Sequence, residues 1–230
     1  MKNVLRLCLP LLAALLVFQS SAQVPPSSSE IASYSGLHLA AQQGNVAAIE
    51  RILISSRSQL DSRDSYGRTP LHVATHARQR GAVQVLLKNG ANHALLENDR
   101  YDAVTIASVA DDEETLRLLL SAGASAKLVT SRYDGTALIA SAHLGHDGVV
   151  RQLIAAGAPL DHVNNLHWTA MIESIVLGNG GERHQRCLQA LLSAGANTQL
   201  TDRDGRTPLQ LAKGRGFEAM TRALLAAGAR

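Results

Sequence analysis

Nine histidines, two cysteines and one glycine-rich stretch are the residues of this 230-residue chain whose types could do chemistry. His143 and His146 stand three apart, a spacing that would place two imidazoles on one side of a helix and could begin a zinc site. No third or fourth ligand follows at a recognisable spacing. Nucleophilic catalysis lacks its frame as well, because no nucleophile-elbow motif surrounds any serine. Gly178-Asn179-Gly180-Gly181-Glu182 has the glycines of a phosphate cradle but not the strand that should precede one. The chain therefore reads as a non-enzyme, with no catalytic, cofactor-binding or metal-binding residues.

The informative constellation is aromatic. Aromatic residues make up only 3% of the chain, yet Tyr34, Tyr66, Tyr101, Tyr133 and Trp168 are spaced 32, 35, 32 and 35 apart. Arg63, Arg68, Arg100, Arg132, Arg203 and Arg206 accompany them. Tyr, Trp and Arg dominate the energetics of protein interfaces. Tyr66, Arg100, Tyr101, Arg132, Tyr133 and Trp168 are accordingly the candidate partner-binding residues. A second reading stands beside this one, in which each ring packs on a neighbouring loop.

The elements that must carry this row repeat with it. Thr69-Pro70-Leu71-His72-Val73-Ala74 recurs as Thr136-Ala137-Leu138, Thr169-Ala170-Met171 and Thr207-Pro208-Leu209. Weaker copies begin at Ser35 and Asp102, so the starts at 35, 69, 102, 136, 169 and 207 are spaced 34, 33, 34, 33 and 38. Gly-Ala pairs at Gly90, Gly123, Gly157, Gly195 and Gly228 keep the same register. In each copy the Thr can cap a helix, and Pro70 and Pro208 fall where a missing N–H costs nothing. Glycines at 44, 145, 178 and 216 would end that helix in a left-handed turn. Arg78 and Asp111 occupy this position in the second and third copies. A second apolar helix follows, closed by Gly90 or its equivalents, and then a hairpin with turn pairs such as Tyr66-Gly67, Asp134-Gly135 and Asp204-Gly205. The fifth copy carries five extra residues around Gly178 to Glu182, expected to lengthen its inter-helix loop. The acidic run Asp111 to Glu114 reads as a solvated helix N-terminus.

This pattern resembles the ankyrin repeat, and the match covers Tyr34 to the C-terminus. The resemblance implies an all-α solenoid of about six helix–turn–helix repeats with projecting β-hairpin fingers, spanning 34–230. The first and last repeats would act as caps. It implies that His38 and His72, at the fourth motif position, tie a finger to the next repeat, and that His146 is structural. Cys187 matches Ala82, Thr115, Val149 and Met220 in the other copies, so it is expected to be a buried core thiol.

The N-terminus reads as an export signal over 1–22. Lys2 and Arg6 precede the apolar run Leu7 to Phe18, and Ser20-Ser21-Ala22 offers small residues for cleavage after Ala22. A run near 12 residues is too short for a membrane anchor, which needs about 20. Residues 23–33, with Pro25, Pro26 and Ser27 to Ser29, read as a flexible lead-in. Loss of the signal removes Cys8 and leaves Cys187 with no disulfide partner. It also lowers the basic count from 22 to 20 against 19 acidic residues, a net +1. With no basic run, nucleic acid is not an expected ligand, and no membrane association is expected after cleavage.

Taken together, the expectation is a monomeric, non-catalytic, periplasmic module that binds another protein. The partner would be an enzyme needing a helper, such as a catalase, or a toxin that the protein neutralises as an immunity factor. A secreted effector binding host proteins is the alternative.

Overall fold

The computed structural model describes residues 25–230. The signal segment 1–22 and residues 23 and 24 lie outside the described residues. Among the described residues no helix is long and apolar enough to cross a membrane.

The described residues open with α1 (Ser28–Ser33) and continue as six helix pairs. The first helices are α2 (Gly36–Gln42), α4 (Pro70–His76), α6 (Ala103–Val109), α8 (Ala137–Leu144), α10 (Ala170–Val176) and α12 (Pro208–Gly214). Their partners are α3 (Val46–Ser55), α5 (Arg80–Lys88), α7 (Glu113–Ser121), α9 (Asp147–Ala155), α11 (Glu182–Ser193) and α13 (Glu218–Ala226). Each first helix packs on the next first helix, and each second helix on the next second helix, giving a two-layer solenoid. Leu37, Leu71, Val104, Leu138, Met171 and Leu209 form one buried row, and Ile49, Leu86, Leu119, Leu153, Leu191 and Leu224 the other. Helices of seven to twelve residues are too short to be stable alone, so this burial holds them.

The caps follow the sequence. Thr69, Asp102, Thr136, Thr169 and Thr207 each accept a hydrogen bond from the backbone N–H three residues on. In α4 the exchange is reciprocal: the Thr69 N–H donates to His72 Nδ1 at 3.0 Å. His72 Nε2 then donates to Leu95 O in the next finger at 2.9 Å. Both ring nitrogens are thus committed to a neutral imidazole, and burial holds its pKa down at about 4. His38 Nε2 likewise donates to Arg68 O. His146 Nδ1 reaches Ser108 O one repeat back. His38, His72 and His146 thus tether neighbouring repeats.

Three details differ from the sequence reading. Residues 28–33 of the expected flexible lead-in form α1, started by a Ser27–Glu30 capping box and held by a 3.0 Å Glu30–Arg68 ion pair. Gly178 does not take the left-handed turn; Gly180 does, at φ 71°. The five extra residues of repeat 5 do not all enter the loop. Three residues separate α4 from α5 and α6 from α7, whereas five separate α10 from α11, and α11 has 12 residues where α5, α7, α9 and α13 have 9. Two of the five therefore lengthen the loop and three lengthen the helix, which gains contacts the loop could not make. Among the described residues only one finger has strand pairing, β1 (Val129–Thr130) with β2 (Gly135–Thr136). The others are turns closed by an acceptor five residues before the helix cap, as where Asp64 Oδ1 receives the N–H groups of Tyr66 and Arg68.

The demand for a left-handed turn after the first helix persists where glycine is absent, with Arg78 at φ 54° and Asp111 at φ 53°. Gly90 and Gly157, which close second helices, stand at φ 86° and 79°. A Cβ at Gly90 would meet nothing within 4 Å, so Gly90→Ala carries only the backbone penalty, about 1 kcal/mol. A Cβ at Gly145 would lie 2.9 Å from the His184 ring, which donates to His143 O. Urea denaturation should therefore show Gly145→Ala as the more damaging of the two. Equal midpoints would mean that His184 yields freely.

Candidate functional site

The fingers of repeats 4 and 5 stand over the first helices of repeats 3 to 5, and an open cavity of about 340 Å³ lies between them. Tyr101, Tyr133 and Trp168 line it. Three members of the aromatic row thus meet in one place. Backbone bonds set their approach: Asn98 N–H donates to Tyr66 O, Ser131 to Arg100 O and Asn165 to Tyr133 O, each at 2.9 to 3.0 Å. The fingers of repeats 3, 4 and 5 are each hung on the one before, which brings Tyr101, Tyr133 and Trp168 toward one another although Tyr133 stands three residues before its cap and the other two stand one.

The other candidate residues do not join the cavity. Tyr66 lies on the finger of repeat 2, 44% exposed, with the Arg68 guanidinium 4.6 Å from its ring centroid. Arg100 pairs with Asp134 at 2.9 Å and Arg132 with Asp99 at 2.8 Å. These two arginines brace one finger against the next, half in solvent. Tyr34 is buried in the first repeat and bonded to Asp64. The first two members of the row, Tyr34 and Tyr66, thus pack on their neighbours, and the last three, Tyr101, Tyr133 and Trp168, line a cavity.

Around the rings the cavity is mostly apolar, with Val109, Ile139, Leu144, Leu166 and Leu177 in its walls beside the polar Thr105, Thr130, Ser131, Thr136, His143 and Asn164. Its one carboxyl is Glu173, on α10. Glu173 is only 4% exposed. Asn164 Nδ2, from the finger ahead of α10, donates to its Oε1 at 2.9 Å. Its Oε2 is buried with no hydrogen-bond donor, and His143 Nδ1 stands 3.6 Å away, too far for a hydrogen bond. Burial raises the Glu173 pKa to about 7, against the Asn164 bond that favours the ion. Burial, with His184 and His146 nearby, lowers that of His143.

Sequence reasoning missed Glu173, although a signal was there. Four residues after the cap the other repeats carry Leu39, Val73, Ile106, Ala140 and Leu211, all apolar. An acid at that position breaks the register inside the buried stripe. Cys187 behaves as expected: it is fully buried, and burial pushes its thiol up to about 12, so it is not a nucleophile. Among the described residues no cluster of His, Cys, Asp and Glu could hold a metal ion.

A family model described as ankyrin repeats (3 copies) matches residues 12–97 and 103–202. The chain is 35% identical over 192 residues to the ankyrin repeat protein YahD of Escherichia coli (strain K12), covering 83% of this chain and 94% of that protein. A solved ankyrin repeat domain from Acinetobacter baumannii AYE is 43% identical with a TM-score of 0.80, over 84% of this chain and 98% of that one. The ankyrin repeat domain of Bcl-3 gives 29% and 0.76, over 86% and 88%.

The buried carboxyl makes stability depend on pH. The folded pKa lies above the ordinary 4.5, so the native state binds the proton more tightly than the unfolded chain. Its favourable contribution is complete below pH 4.5 and is lost as pH rises through about 7. Glu173→Gln keeps an oxygen for Asn164 and removes the ionisation. Relative to wild type, the variant should gain on the order of 3 kcal/mol between pH 4.5 and pH 8 in denaturant melts. Parallel pH profiles for the two proteins would contradict this account.

Proposed function

We propose, for a chain that belongs to the ankyrin-repeat family, that it binds its protein partner through the fingers and first helices of repeats 3 to 5. Ankyrin repeats are protein–protein interaction modules, and the family's members are generally non-catalytic. The observation that carries the choice of face is where the exposed apolar side chains fall. Of eight large hydrophobic residues exposed among the described ones, five are Val129, Tyr133, Val163, Leu166 and Leu177. All five belong to the fingers of repeats 4 and 5 or to the end of α10. Tyr133, Leu166 and Leu177 meet at the cavity, and exposed apolar side chains gathered in this way are a solvation liability that a partner would cover. The centre of this group, at Tyr133 and Trp168, has the residue types that concentrate binding energy.

The setting we propose is the bacterial periplasm, on the strength of the charged start, the short apolar run and the small residues before Gln23. The partner is then a periplasmic protein, whether an enzyme that this chain assists or a toxin that it neutralises. If export occurs, the intact mass of the protein recovered from periplasm will correspond to a chain beginning at Gln23. Recovery only as the full-length chain in the cytosol would refute it.

The face itself is tested by cross-linking in periplasmic extract. Tyr133→Asp and Leu166→Asp should abolish capture of the partner held by wild type. Truncating a central interface aromatic typically costs about 2 kcal/mol or more, and a charge there should cost at least as much. Ile54→Asp, on the exposed side of α3 at 88% exposure, should leave capture and melting unchanged. Normal capture by both finger variants would place the interface elsewhere.

A further inference from the structure

Three properties of the cavity between repeats 3 and 5 bear on what enters it. Its volume, about 340 Å³, is at the small end of ligand pockets, which run roughly 300–1,000 Å³. It therefore suits one long side chain and not a helix. Its walls are mostly aromatic and aliphatic, with Thr105, Thr130, Ser131, Thr136, His143 and Asn164 as the neutral polar lining, and no lysine or arginine lines it. The two nearby finger arginines, Arg100 and Arg132, are already neutralised by Asp134 and Asp99. Its one acid, Glu173, is more than nine-tenths buried and has an oxygen with no donor.

We infer that this cavity receives a lysine or arginine side chain of the protein partner, with the aliphatic stem against Tyr101, Tyr133 and Trp168 and the cation at the Glu173 carboxylate. The inference rests on the proposed binding face and names the group that the face selects. A buried acceptor without a donor is costly, and an N–H donor from the partner removes that cost. A cation also gains from aromatic surroundings, more so where water is excluded. Long basic side chains bury their stems readily while the head finds a charge partner. A neutral apolar side chain would fill the walls but leave Glu173 Oε2 unbonded. An acidic one would set two carboxyls together in a dry site.

Trp168 is the only tryptophan in the chain, so its fluorescence reports on the cavity directly. The probes are capped lysine (Nα-acetyl-lysine methylamide), capped norleucine as its uncharged counterpart, and cadaverine as a free diamine. At pH 8, capped lysine should perturb Trp168 emission saturably and bind about tenfold tighter than capped norleucine, the worth of one charge-assisted hydrogen bond. Glu173→Gln, which the pH argument gives as a folded variant, should erase that difference while still binding capped norleucine. Equal binding of the two capped residues, or of both by the variant with the preference intact, would overturn the inference. Cadaverine binding about tenfold tighter than capped lysine would overturn the partner's side chain as the source and assign the site to a free amine. The binding face is judged separately. If Glu173→Gln captures the partner as wild type does while Tyr133→Asp fails, the basic side chain is wrong and the face stands. If Tyr133→Asp also captures it, the face is wrong.

Discussion

A pair of short helices cannot cover its own apolar faces, so each repeat depends on the next for its core, and the bond that sets their register governs everything else. Here that bond is a backbone ladder between fingers. The N–H groups of Asn98, Ser131 and Asn165 reach the carbonyls of Tyr66, Arg100 and Tyr133. Backbone bonds tolerate any side chain, so the ladder holds while the residues along it vary. Histidines reinforce it at His38, His72, His146 and His184 wherever a ring can reach a neighbouring carbonyl.

Register so tightly fixed leaves irregularities to be absorbed locally. The five extra residues of repeat 5 change only the turn and the length of α11, and repeat 6 seals the join. Arg215 donates to Val176 O and Gly178 O, and Phe217 lies against Gly180. On the other side, the lengthened α11 turns Arg183 and Arg186 toward Asp147 of repeat 4, and Arg183 toward Asp111 of repeat 3. Burial alone would raise the Asp147 pKa, but the bonds from Arg186 and Arg151 bring it down to about 2. The insertion thus ties three repeats together through their inter-helix turns and the starts of their second helices.

Departures from the period mark where the solenoid does more than stack. At the fourth position after the cap five of six repeats place an apolar residue, buried in repeats 2, 3 and 6 and partly buried in repeats 1 and 4. Glu173 is the exception, and its carboxyl is satisfied on one oxygen only. Cys187 is a milder departure that the core accepts as a small apolar group. The difference is physical: a thiol can go without a hydrogen bond, and a carboxyl cannot do so without cost.

The repeat boundaries, the Thr caps, the left-handed glycines at 90 and 157 and the burial of Cys187 are legible in the sequence because each rests on contacts within one repeat, read six times over. The sequence also determines that the aromatic row shares that period. It does not determine which rings meet. Tyr66 and Tyr133 both stand three residues before the cap, yet Tyr66 faces Arg68 while Tyr133 joins Tyr101 and Trp168, each one residue before its cap, in a common cavity. Nor does it show that Arg100 and Arg132 are occupied by acids more than thirty residues away. Those outcomes depend on the spacing between stacked repeats and on which neighbour fills the space beneath each ring. Only the packed chain decides such long-range quantities, because a period records where a side chain stands in its own repeat and not what the adjoining repeat presents to it.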